Sequence, residues 1–280
     1  MTGSLAGTIH AALRNPSGRS GALLLIALLI LALAGPQFLP DPTSITDLSA
    51  GASPPSLGHL FGTDHLSRDV LARVATGARI SLAIAVLAVV VSLTIGTFIG
   101  LMAGFAGGWL DALLMRMVDA ALAIPRLFVL LLLLVVWEQI PLPALIAVIG
   151  MTGWFGTSRL VRGEVLRLRS EGYIQAAAAL GAAPKRTIFR HLLPNVLGVI
   201  LVSATLSVGE VILLEAGLSF LGVGLQPPTP SWGIMVLDSR NYFSTAPWTL
   251  FFPGAMILIT VLAVNLMSDA LRAAFDPRSA

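Results

Sequence analysis

Six long apolar stretches decide what this chain can become: about 21–39, 80–104, 113–137, 141–160, 196–221 and 250–271. Each meets the ~20 mostly apolar residues that a helix needs to cross a bilayer. Runs this continuous exclude a transmembrane barrel, whose strands alternate at every second residue. Charged residues are only 11% of the 280, against roughly a quarter in soluble domains. The reading is an all-α, polytopic helical membrane protein with about six transmembrane helices. It divides into a tail, first span and outer segment (1–79), a transmembrane domain (80–271) and a final tail (272–280). The chain has no cysteine, which excludes disulfides, thiolate metal sites and cysteine nucleophiles.

The positive charges orient the spans. With the N-terminus inside, 13 of the 17 Lys and Arg face the cytoplasm, among them Arg116, Arg126, Arg159, Lys185 and Arg278. Arg68, Arg73, Arg79 and Arg240 are left outside. That asymmetry is the positive-inside bias, and it puts both termini in the cytoplasm. Net charge is only +3, so the basic balance points to membrane topology and not to nucleic acid. Arg14 and Arg19 before an apolar run and "ALA" at 32–34 also fit a cleavable signal peptide. The run continues to Leu39, which favours an uncleaved anchor.

The outer segment, about 40–79, begins as a Pro-, Gly- and Ser-rich loop. From Ser67 the spacing turns helical, with Val70, Leu71, Val74 and Ala78 on one face and Ser67 as N-cap. Asp64 and His65 are neighbours without a third ligand, a poor metal cage, and read as a solvated turn. No G-x-x-x-x-G-K-[ST] phosphate loop is present, so this chain carries no ATPase of its own.

The longest polar interruption, "GYIQAAAALGAAPKRTIFRHLLPN" at 172–195, falls on the cytoplasmic side. "YIQAAAAL" is a strong helix former of little bulk. Gly181 ends it, because glycine alone enters the left-handed conformation cheaply. Pro184 can open a new helix, where its missing N–H costs nothing. Ile188, Phe189, Leu192 and Leu193 then share a face, flanked by Arg186 and Arg190, until Pro194 stops the helix. Three uses fit such a segment: an interfacial helix on the membrane, packing on its own spans, or insertion into a groove on a soluble partner.

These residues resemble the signature of membrane permeases in binding-protein-dependent ABC importers: Glu-Ala-Ala, three residues, Gly, nine residues, Ile-x-Leu-Pro. It falls on Gln175, Ala176, Ala177, Gly181, His191, Leu193 and Pro194, with Gln175 and His191 departing from it. "FRHLLPN" is similar to the dipeptide/oligopeptide/nickel branch. So are "FGTDHLSRDVLARVATGARISL" (61–82), "GGWLDALLMRMVDAALAIP" (107–125), "EAGLSFLGVGLQPPTPSWGIMV" (215–236) and "DALRAAFDPR" (269–278).

The resemblance implies a type I importer permease in a prokaryotic inner membrane, forming half of a pathway for di- or oligopeptides. Nickel or another small solute is the alternative within the family. It implies a homologous second permease subunit, two cytoplasmic ATPases that hold ATP and magnesium, and an extracytoplasmic solute-binding protein. It makes 172–195 the coupling segment, with Ala176, Ala177 and Gly181 allowing close approach and Ile188, Phe189 and Leu193 as an apolar knob. Asp64, Arg68, Asp69, Pro230 and Trp232 are its candidate contacts to the binding protein.

Carboxylates inside spans are costly, roughly 2.5–3.5 kcal/mol at a helix centre, and so face an interior or a cavity. Glu210 is the deeper, lining the pathway or bonding a neighbouring helix. Glu215 reads as structural or gating, and Asp119 pairs with Arg116 at i, i+3. A proton-coupled secondary transporter using Glu210 is the rival class. It leaves the hinged cytoplasmic segment unexplained.

Overall fold

The structure, a computed structural model, describes residues 5–45 and 51–275; Arg278 and the end of the C-terminal motif lie outside them. Helices α1 (Leu5–Arg14) and α2 (Pro16–Phe38) are followed by an irregular outer segment and the long α3 (Val70–Ala106). At 1.5 Å per residue, the 37 residues of α3 measure about 55 Å, against ~30 Å of hydrocarbon. The second helix of the membrane part therefore starts ten residues earlier than its apolar run and is longer than the hydrocarbon requires. Asp69, not Ser67, caps it: the Asp69 carboxylate accepts from the Ala72 N–H at 2.8 Å. Ser67 instead takes a positive φ of 57° in the turn before the helix.

The third and fourth apolar runs are not single rods. α4 (Gly108–Leu122) and α5 (Arg126–Leu134) meet at 79°, and α6 (Leu142–Met151) and α7 (Trp154–Arg169) at 40°. The first break falls at Pro125, which cannot donate to the preceding turn. The second falls at Thr152 and Gly153. Among the described residues, four helices are each long and apolar enough to cross a membrane, and up to six spans result if each bent pair is one.

After α7 come α8 (Gly172–Ala179) and α9 (Pro184–Arg186), then a π-helical turn over Thr187–Leu192 that runs directly into α10 (Leu193–Phe220). Pro194 is therefore no stop. It sits in the first turn of α10, where a missing N–H is tolerated, and the wider turn before it absorbs the ring. α11 (Trp232–Ser239) and α12 (Trp248–Phe275) complete the chain.

Small residues set the closest approach. Gly96, Gly100 and Gly104 recur every four residues on α3 and face α7. A Cβ on Gly100 would lie 2.6 Å from the Ser158 carbonyl and 2.7 Å from Val161 Cβ. In a bilayer, where helices gain little by hiding apolar surface from each other, such stripes allow backbone contact. A second close contact joins α2 to α12: a Cβ on Gly21 would lie 2.8 Å from the Ala263 carbonyl. The main core, with Ile84, Ala88, Leu130, Leu145, Ile149 and Ile212, unites α3, α5, α6 and α10.

Candidate functional site

The segment 172–195 is tethered on one side and bare on the other. Ile174 and Leu192 enter a core with Val161, Val165, Leu168 and Val196, with Ile188 and Leu193 packed against it. The four apolar residues read as one face are thus divided. Ile188, Leu192 and Leu193 turn inward, and Phe189 alone turns out, 66% exposed. Helix α8 ends as the sequence predicts, with Gly181 at φ +79° and nothing within 4 Å of where its Cβ would sit. Pro184 takes the first turn of α9 after Ala183. The outward surface carries Leu180, 89% exposed, with Gln175, Ala176, Pro184, Lys185, Arg186 and Arg190 around it. Ala177 is half-buried, and the Gln175 side-chain amide donates to the Ser170 carbonyl at 3.3 Å.

Inside the apolar layer, Glu210 accepts from Arg126 Nη1 at 3.0 Å. Arg126 is the first residue of α5, directly after the α4–α5 break. Its Nη2 donates to the Ile149 carbonyl at 2.7 Å, satisfying an end carbonyl of α6 that has no helical partner. Thr152 lies 3.5 Å from its Nε. A cavity of about 270 Å³ opens here, lined by Pro125, Arg126, Thr152, Gly153, Phe155 and Glu210 among others. Both helix breaks face it. Asp119 pairs with Arg159 of α7 and not with Arg116, because the tertiary packing brings α4 beside α7. Asp111 makes the parallel link with Arg162, at 2.5 Å.

A carboxylate of another kind lies further along α10. Glu215 is 1% exposed. It accepts from the hydroxyls of Ser219 and Ser231 at 2.8 Å each, with Ser81 at 3.5 Å. Ser81 also accepts from the Trp232 backbone N–H, so one acid ties α3, α10 and α11 together.

The family described as the binding-protein-dependent transport system inner membrane component matches residues 96–280. The chain belongs to that family. It is similar over nearly its whole length to the oligopeptide transport system permease protein OppC of Bacillus subtilis, 41% identical over 264 residues, 94% of this chain and 86% of the relative. The dipeptide transport system permease protein DppC of the same organism is 39% identical, over 95% of this chain and 83% of its own. OppC of Haemophilus influenzae is 36% identical, over 95% and 86%. The protein is thus the multi-pass inner-membrane component of a transport system that works with a binding protein and an ATPase, and is not itself the ATPase.

Within that permease, the five residues read as binding-protein contacts are all buried: Asp64, Arg68, Asp69, Pro230 and Trp232. Asp64 is no solvated turn. It accepts from Arg68 Nε at 2.8 Å and from Arg73 Nη1 at 2.6 Å, and Asp238 accepts from Arg73 Nη2 at 2.9 Å. Burial opposes ionisation of Asp64, but Arg73, the Arg68 and Leu66 amides and the Arg68 charge together hold its carboxyl below the usual range. Asp69 accepts from His59, and Trp232 Nε1 donates to the Val74 carbonyl. These groups lock the outer segment onto α3 and α11. What they expose instead is their rim, including Leu57, Leu60, Pro227, Pro228 and Thr229. Among the described residues no cluster of His, Asp and Glu has the geometry of a metal site.

Two elements carry weaker signals in the sequence. The Gly96/Gly100/Gly104 stripe shows as a spacing of four within an apolar run. Arg126 is a lone arginine inside an apolar run, which is itself a sign of an intramembrane site.

Proposed function

We propose that this permease forms half of the translocation pathway for di- or oligopeptides and couples to ATP hydrolysis through residues 172–195. The observation that carries the reading is 41% identity across 94% of the chain to an oligopeptide permease. The bare surface around Gly181 supports it.

In this reading a homologous second permease subunit completes the pathway. Two cytoplasmic ATPase subunits bind ATP and magnesium, and both termini are cytoplasmic. An extracytoplasmic binding protein delivers peptide to the outer rim. Leu180 and Phe189 are the apolar anchors for an ATPase groove, with Lys185, Arg186 and Arg190 as its basic border. Ile188, Leu192 and Leu193 hold the segment rigidly to α7 and α10, so that a push on the surface reaches both helices. Glu210 faces the pathway, and Glu215 fixes the packing of the outer half.

The test is ATP-dependent uptake of labelled peptide by proteoliposomes holding the complete transporter and its binding protein. Uptake that requires all components is expected. A binding protein that takes up nickel and no peptide, or uptake without the ATPases, sinks the proposal.

A further inference from the structure

The Arg126–Glu210 pair has the properties of a ligand site more than those of a structural bridge. Glu210 side chain is 65% exposed and uses one carboxylate oxygen for Arg126, while the Arg126 side chain is 25% exposed. Arg126 is held from behind by the Ile149 carbonyl. Gly153 leaves it room, since a Cβ there would lie 2.8 Å from Nη2. The guanidinium is therefore fixed and the carboxylate is free to swing, both on the wall of a cavity bordered by two helix breaks. Paired intramembrane charges that face a cavity are expected to serve transport, because an exposed charge among lipid is costly. Unwound positions in broken helices are where transported solutes meet backbone and charge.

We infer that Arg126 and Glu210 form a paired-charge site for the free ends of a peptide in transit, a deepening that rests on the peptide reading above. The peptide carboxylate takes the forked donors of Arg126, and its ammonium takes Glu210. The internal pair opens, and each charge exchanges one partner for another, so no unpaired charge is created within the membrane. At about 270 Å³ the cavity falls below the ~300–1,000 Å³ typical of sites that enclose a small ligand. It suits one end of a peptide at a time, the rest lying across the pathway.

The test uses the complete reconstituted transporter and three forms of one short peptide: free at both ends, N-acetylated, and C-amidated. Binding of each form to the binding protein is measured separately, so that delivery is factored out. Arg126→Gln should lower uptake of the free and acetylated peptides about tenfold, the scale of one lost charge-assisted bond, and leave the amide much less affected. Glu210→Gln should do the reverse, sparing the acetylated form. The exchange Arg126→Glu with Glu210→Arg checks that loss does not reflect misassembly, since it keeps the pair. Equal loss for all three peptides in complexes that still co-purify with their ATPases would make the pair structural and overturn the inference. So would unchanged uptake in both single variants. No uptake of any form by the wild-type transporter would instead refute the peptide reading itself, and the inference with it.

Discussion

Replacing Gly181 separates a backbone requirement from a docking requirement. Its φ of +79° is the left-handed region, and no atom lies within 4 Å of the position a Cβ would take. Within this chain, then, a Cβ meets open space and the backbone conformation is what resists a substitution. That resistance is about 1–2 kcal/mol for an ordinary L-residue and smaller for asparagine, which visits this region routinely. Gly181→Ala and Gly181→Trp should therefore cost the isolated permease the same, and Gly181→Asn little. Thermal unfolding in detergent should place the alanine and tryptophan variants together. Co-purification of the ATPases and ATP-dependent uptake should not. Asparagine is expected near wild type and alanine reduced by roughly five- to thirtyfold at most, the factor that 1–2 kcal/mol commands. Tryptophan should lose ATPase binding altogether, because its ring occupies space that only a partner fills. A tryptophan variant that binds ATPases and transports as well as the alanine variant would refute the docking role. If asparagine failed as badly as tryptophan, the backbone account would be wrong.

Two further outcomes follow from contacts elsewhere. Gly100→Leu drives a side chain into the Ser158 carbonyl and Val161; overpacking of this kind costs about 1–3 kcal/mol, seen as a lower unfolding temperature in micelles, and an unchanged temperature would show that α3 and α7 are not held at contact distance. The Asp64 carboxyl is held below its ordinary value in the folded outer segment, so its contribution is complete above the unfolded value of ~3.9 and is lost as pH falls through the lowered one. Hydrogen exchange across 51–69 should stay slow from pH 7 to about 5, and opening within that window would exclude the Arg68–Arg73–Asp64 lock as its cause.

Much of this was legible before any coordinates, and the reasons are local. Apolar length announces a span whatever it packs against, because lipid forbids unpaired backbone. Gly181 and Pro184 report their own conformations, since each is set by the residue's covalent chemistry. The helix, hinge and new helix of 172–184 could be placed for that reason alone. Pro194 misled, because a proline's effect depends on whether the turn before it can widen. Ser67 misled too, since Ser67 and Asp69 both precede α3 and the tertiary lock chose Asp69.

What only the tertiary structure decided is which charges meet. Asp119 had a partner three residues away in Arg116 and took Arg159 of another helix. Asp64 joined Arg73 and, through it, Asp238, 165 residues further along from Arg73. Arg126, one positive charge among 17 in the sequence, became the partner of Glu210 because two helices break beside α10. The apolar helices and the hinge at Gly181 come from the sequence by itself, since bilayer thickness and backbone chemistry act on each segment separately. Pairing of buried charges does not, because it depends on distances that exist only once the helices have packed.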